Sequence, residues 1–314
     1  MIVGFGMFDE KTIALIKIRA NLLRSARCWL DQHGYVEVSS PTIVPAVGNW
    51  PGYFEVKYYD KKAFLTRGMQ PYASFFVAGL EKVYSISPVF RAETSITRRH
   101  LTEFWRIEVI QQCGLDAIMA VQEQLLAHVC RMLSEEDVKT LGLFSRRRHD
   151  FAEVKAPFPR FSYDEVVEML QKDGFNISWG QRIDWRFENY LSLKFNQPFF
   201  IMKFPVGIET FFVKSDHEKS ELTLSAELFA PEGYGELSSC VENITDTEVM
   251  LEKMKEEKID PADQLWYMSF MPKQTAAAQS GFGIGVERLL QWICKLEDIR
   301  DATAFPRVFN SFYP

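Results

Sequence analysis

Phe90-Arg91-Ala92-Glu93-Thr94-Ser95-Ile96-Thr97-Arg98-Arg99-His100-Leu101-Thr102-Glu103-Phe104-Trp105-Arg106-Ile107-Glu108 is the stretch on which the reading of the fold turns. The run Val83 to Phe90 ahead of it is strand-like, and a second apolar run begins at Phe104. Two antiparallel strands joined by a long basic loop are therefore predicted. The ten residues from Arg91 to His100 hold three arginines and a histidine. Guanidinium forks match phosphate oxygens, so the loop suits a polyanion such as a nucleoside triphosphate. Glu93, two residues after Arg91, is expected on the same face, where it suits an adenine amino group.

Working outward, Leu15, Ile18, Leu22, Ala26 and Trp29 fall at helical spacing, Gly34 is placed to end that helix, and Tyr35 to Val38 reads as a strand stopped by Pro41. Pro45 to Gly52 is a Gly/Pro-rich loop carrying Trp50. Leu115 to Leu133 is predicted helical, and Ser162-Tyr163-Asp164-Glu165 is a helix start. Strands are expected at Phe199 to Pro205, Phe211 to Lys214 and Leu222 to Phe229, and helices over Ile244 to Lys258 and from Pro261. Glu227 stands in a nearly all-apolar strand, where an unpaired carboxylate is costly, so a cation or metal is expected beside it. With Glu236 in the following turn it makes a pair suited to hold Mg2+ against phosphates. Gly281-Phe282-Gly283-Ile284-Gly285 lets backbone approach a ligand, and Arg288 follows at a helix start.

Composition bounds the rest. The 314 residues are 47% hydrophobic and 25% charged, with net charge -6, so no general attraction to nucleic acid is implied. Five scattered cysteines without CxxC spacing favour a reducing cytosol over disulfides or zinc. No apolar run reaches membrane length, and no signal peptide is visible.

The Arg91 stretch resembles motif 2 of class II aminoacyl-tRNA synthetases of the aspartyl/asparaginyl subgroup, with an asparaginyl-like continuation. Thr12 to Pro41 resembles motif 1, and Gly281 to Leu290 with Ile299-Arg300-Asp301 and Phe305-Pro306-Arg307 resembles motif 3. The resemblance implies an α+β class II core, an antiparallel sheet flanked by helices, over residues 12–314, with residues 1–11 a short extension. It implies a homodimer, ATP as substrate and Mg2+. It implies α-phosphate binding at Arg91, adenine reading at Glu93, outer phosphates at Arg99 and His100, stacking at Phe104, and adenine or γ-phosphate contact at Arg288. Gln70 falls on the family's glutamine for the substrate amino group. Trp50 is either an apolar lid or an ordinary loop tryptophan.

Two departures concern the amino acid. A family arginine after the acidic pair is matched by Glu242 if one gap is allowed, and a basic residue earlier is matched by Glu209. If both face the pocket, the acid is not ordinary asparagine and carries an extra amino group; otherwise both are surface residues. Only about ten residues precede the first helix, so anticodon reading is not expected. Adenylate formation is the expected chemistry. The acceptor is ammonia or a small amine, as in asparagine synthetase-like paralogues, or a tRNA end; a non-catalytic nucleotide- or amino-acid-binding regulator is the alternative of another class.

Overall fold

The computed structural model describes residues 9–45, 52–95, 97–151, 154–260, 268–269 and 277–311, so Trp50 and the helix expected from Pro261 lie outside the described residues. Helix α1 (Glu10–Gln32) starts where the Asp9 carboxylate accepts from the Thr12 N–H at 2.7 Å. Gly34, at φ +79°, carries the chain out of it, a conformation that glycine adopts without strain. In order follow β1 (Val36–Glu37), β2 (Ile43–Val44), β3 (Glu55–Tyr58), β4 (Lys61–Leu65), α2 (Gln70–Leu80), β5 (Lys82–Phe90), β6 (Glu103–Gln111), α3 (Leu115–Glu136), α4 (Val138–Gly142), β7 (Arg160–Ser162), α5 (Tyr163–Lys172), α6 (Trp185–Lys194), β8 (Phe199–Met202), β9 (Ser225–Ala230), β10 (Gly235–Asn243), α7 (Thr247–Glu256), β11 (Gln279–Gly285) and α8 (Val286–Ile293).

Eight strands form one sheet in the order β1-β5-β6-β11-β10-β9-β8-β7. All pairings from β5 to β8 are antiparallel, and β1 and β7 add parallel edges. The expected fold class, an α+β class II core with an antiparallel sheet and flanking helices, is the one observed.

The two faces of this sheet differ in kind. Across the middle, Val109, Phe282, Cys240 and Ala226 share one row, and Ile107 stands opposite Ile284. These side chains are buried with Leu15, Ile18 and Leu22 of α1, Ile118 and Leu125 of α3, and Leu289, Leu290 and Trp292 of α8. Each fully buried Leu, Ile or Phe there contributes about 1.5–3 kcal/mol. Strand β11 explains the division. Its apolar residues Phe282 and Ile284 go to the helical side, so Gly281, Gly283 and Gly285 present bare backbone on the other. A second core packs α5 and α6 on the β8–β9 edge through Tyr163, Leu170, Phe187 and Leu191, and Phe199 stacks on Phe229 at 5.3 Å. The Ser162 helix start is a complete capping box.

Several local expectations are corrected. Phe211–Lys214 is not a strand; only isolated bridges such as Val213 to Asn243 form there. Gln70 opens helix α2, with Pro71 in its first turn. Glu236 lies in strand β10, not in a turn. Arg146, which stands in a basic run with Arg147 and Arg148 that composition alone would leave in solvent, is 2% exposed; its guanidinium donates to the Ile293 and Trp292 carbonyls and to Glu232.

Candidate active site

The bare face of β11 is the floor of a cleft of about 770 Å3, continuous in its lining residues with a smaller recess beside Phe104 and Arg288. Both are lined by Arg91, Arg106, Glu236, Ser239 and Gly283. Strand register sets the layout. Glu108 on β6 pairs with Gly283, Gly283 with Ser239 of β10, and Ser239 with Glu227 of β9. Residues directly opposite share a face, so one transverse row runs carboxylate, glycine, serine, carboxylate.

On the β5–β6 side, Arg91 lies just past the end of β5, its N–H donating to the Thr102 carbonyl at 2.9 Å. Its guanidinium lies 5.5 Å from the Phe104 ring centre and 3.8 Å from Glu93. Burial lowers its pKa to about 10, with Arg106 and Arg67 adding to the effect. The predicted neighbours Arg91, Glu93 and Phe104 are thus brought together. Arg67 lies 5.5 Å from the Tyr53 ring centre. His100 is held through Nδ1 at 2.6 Å from the Thr97 hydroxyl, and burial followed by the Arg288 charge lowers its pKa.

In the recess, Arg288 Nη1 donates to Glu236 Oε2 at 2.8 Å. Arg99 donates to the Glu236 carbonyl at 2.6 Å and pairs with Glu188. Burial alone would raise the Glu236 pKa, but Arg288, then Arg99 and Arg91, outweigh it and hold it at about 2. Glu227 goes the other way: burial, then the charges of Glu236, Glu209 and Glu188, push it well above the usual carboxylate range. Two neighbouring carboxyls are therefore pushed in opposite directions. Among the described residues no three His, Cys, Asp or Glu side chains gather as a metal cage. Glu236 lines both the recess and the larger cleft and Glu227 lines the larger cleft; a pair of hard oxygen ligands there still fits Mg2+, which keeps waters and substrate oxygens as its other ligands.

The amino-acid side is mixed. Gln70 lines the cleft and donates through Nε2 to Asn243 Oδ1 at 2.9 Å. Glu209 also lines it, and burial raises its pKa against the lowering contacts of Ser225 and Arg182. Glu242 does not line it. Its side chain is 7% exposed and points to the helical side of the sheet, where Oε1 accepts from Lys214 Nζ at 2.7 Å and Oε2 from the Leu115 N–H at 3.2 Å. The assignment of Glu242 to the substrate pocket is therefore corrected. A register shift between Glu236 and Ser238 turns Ser239, Val241 and Asn243 to the cleft instead.

Arg106 and Glu108 were not singled out from the sequence. Strand alternation from Phe104 would have found them, since Phe104, Arg106 and Glu108 are two apart and all face the cleft. Glu108 is 3% exposed and accepts from the Met69 N–H at 2.7 Å. A Cβ at Gly68, which has φ +143°, would meet Glu108 Oε1 at 2.6 Å, so glycine is required on both counts.

The sheet order, the glycine-floored cleft and its arginines define an ATP-dependent ligase core of the class II synthetase type. A family model described as "tRNA synthetases class II (D, K and N)" matches residues 5–309, and the chain belongs to that family. It is 39% identical to the asparagine–tRNA ligase of Thermococcus kodakarensis over 98% of this chain and 72% of that protein. The Pyrococcus abyssi asparagine–tRNA ligase is also 39% identical, over 98% of this chain and 71% of its own length. Among solved structures, Pyrococcus horikoshii asparaginyl-tRNA synthetase complexed with asparaginyl-adenylate superposes with a TM-score of 0.93 at 38% identity, covering 97% of this chain and 70% of that one. These relatives are named for tRNA, and the similarity lends no support to an ammonia or amine acceptor. No helix among the described residues is long and apolar enough to cross a membrane.

Proposed function

We propose that this cleft joins an amino acid to ATP as an aminoacyl-adenylate and passes the acyl group to the end of a tRNA. The carboxylate attacks the α-phosphorus, a carboxylate oxygen–phosphorus bond forms, and the bond to the β-phosphate oxygen breaks to release pyrophosphate. This first step needs no side-chain nucleophile or proton transfer, so its rate comes from alignment and charge neutralisation. In the transfer step the terminal hydroxyl of the tRNA bonds to the acyl carbon, the acyl–phosphate bond breaks to release AMP, and the hydroxyl proton passes to solvent. The observation that carries the reading is the convergence of Arg91, Arg288 and Glu236 on the recess beside the Phe104 ring, at the edge of a larger cleft. Arg91 holds the α-phosphate, Glu93 the adenine amino group, Phe104 the adenine face, and Arg99, His100 and Arg288 the outer phosphates and ring. Glu227 and Glu236 would hold Mg2+, which supplies positive charge to the pyrophosphate leaving group. Gln70 binds the substrate amino group. A homodimer is part of the proposal: Ile13 and Ile16 of α1 are 41% and 50% exposed, apolar surface that a second copy would cover.

Asparagine is the first acid to test, on the strength of the relatives' names. Glu209 favours a second reading of the acid. A cleft-lining carboxyl suits an acid bearing an extra amino group, although without Glu242 the charge reversal rests on Glu209 alone.

The experiment follows the fate of the acyl group. Protein, ATP, Mg2+ and labelled asparagine or a diamino acid are incubated with total tRNA or with ammonia alone. Acid-precipitable, base-labile label on tRNA is expected. An amide formed from the acid and ammonia, with tRNA unlabelled, would contradict the tRNA acceptor.

A further inference from the structure

Arg106 is a cation with little to hold. Its side chain is 17% exposed and its guanidinium carries five N–H donors. Its ion pair, Nη1 to Glu108 Oε1, is long at 3.4 Å, and Glu108 spends its other oxygen on the Met69 N–H. Two other arginines of the recess are better satisfied, Arg288 on Glu236 at 2.8 Å and Arg99 on Glu188 and the Glu236 carbonyl. Arg91 resembles Arg106: its carboxylate partner is 3.8 Å away and its Nε is buried without a hydrogen bond. The two guanidinium groups are close enough that Arg106 lowers the Arg91 pKa. Two like charges, each weakly partnered and partly out of water, are a costly arrangement unless an anion comes between them.

Position narrows the anion. Arg106 lines both the recess and the larger cleft, which places it at their junction. Its guanidinium lies on Gly283: a Cβ there would sit 1.9 Å from Nη2, so the bare glycine is what lets the arginine lie along the floor. The family arginine after the acidic pair has no counterpart on the cleft face of β10, where Glu242 faces away and Asn243 donates nothing to the cleft but accepts from Gln70. Carboxylate attack on a phosphate also brings two anions to bonding distance, which one guanidinium neutralises poorly.

We propose that Arg106, on β6, holds the reacting carboxylate of the acid. With Arg91 on the α-phosphate, the pair would clamp the two reacting groups, and Glu108 would fix the Arg106 fork. This rests on the adenylate-forming reading above.

The test compares wild type with Arg106→Gln and Arg106→Lys. Amino-acid KM and kcat are read by ATP–pyrophosphate exchange, ATP affinity by calorimetry, and folding by thermal melting. Arg106→Gln should raise the KM for the acid about 30-fold or more, the loss expected for a carboxylate–arginine contact. Its ATP affinity should stay within about threefold and its melting temperature near wild type; Arg106→Lys, which keeps charge but not the fork, should fall between. An unchanged acid KM in Arg106→Gln overturns the proposal, as does an ATP affinity that falls in step with the KM. Wild type that binds ATP yet exchanges with no amino acid overturns the adenylate reading and this inference with it.

Discussion

Glu108 and Glu227 share one row of the sheet, with only Gly283 and Ser239 between them. Three strand spacings separate them, ~14 Å at the usual ~4.8 Å per strand. That stretch is the floor on which a ligand would lie, and its bare middle is as important as the two carboxyls that flank it.

A methyl group at Gly283 therefore tests the floor. The Gly283 backbone is ordinary extended strand, but a Cβ would run into the Arg106 guanidinium at 1.9 Å. Gly283→Ala should melt close to wild type and lose on the order of 100-fold in exchange rate, the penalty typical of an ~1 Å misplacement of a reacting group. Exchange at the wild-type rate would show that nothing reactive passes over this strand.

Glu227 links pH to stability. Its folded pKa is raised by burial and by Glu236, Glu209 and Glu188, so the native protein holds a proton that the unfolded chain releases. The corresponding stability is fully present below the unfolded value and is lost as pH rises through the folded one. Glu227→Gln removes that loss: its melting temperature should exceed wild type at neutral and alkaline pH, with the gap closing toward pH 4. The same variant should lose Mg2+-dependent exchange, a gain in stability at the cost of function. Melting curves that run parallel from pH 4 to 9 would contradict this account of Glu227.

Glu242 supplies the opposite pattern. It is tied to Lys214 at 2.7 Å and to the first turn of α3, on the side of the sheet away from the cleft. Lys214 is 47% exposed, so the pair is partly screened. Glu242→Gln should cost about 1–2 kcal/mol in chemical denaturation and leave the KM for the acid unchanged. A KM raised tenfold without loss of stability would return Glu242 to the pocket.

The contrast between Glu242 and Arg106 shows how far the sequence could be read. The basic hairpin was legible almost to its ends, because an apolar run, a polar loop and a second apolar run leave little choice of structure. The glycine-alternating strand was legible for the same reason. What could not be read was the face of β10. A regular strand would keep Glu236 and Glu242 on one side, six residues apart, but the one-residue bulge after Glu236 reverses every side chain beyond it. No residue pattern there announces the bulge. Arg106 and Glu108 are within reach of the sequence, since simple alternation from Phe104 places both on the cleft face of β6. The burial of Arg146 followed from carbonyls at the end of α8, about 150 positions away in the chain, which local composition does not encode.

The most direct measurement is ATP–pyrophosphate exchange by wild type and by Arg91→Gln, across a panel containing asparagine, aspartate and diamino acids. The account predicts exchange with at least one of these acids, dependent on Mg2+ and reduced at least ~100-fold in Arg91→Gln, where a charged donor aimed at the transferring phosphate is lost. Absence of exchange with every acid, in protein shown to bind ATP, would contradict adenylate formation at this site.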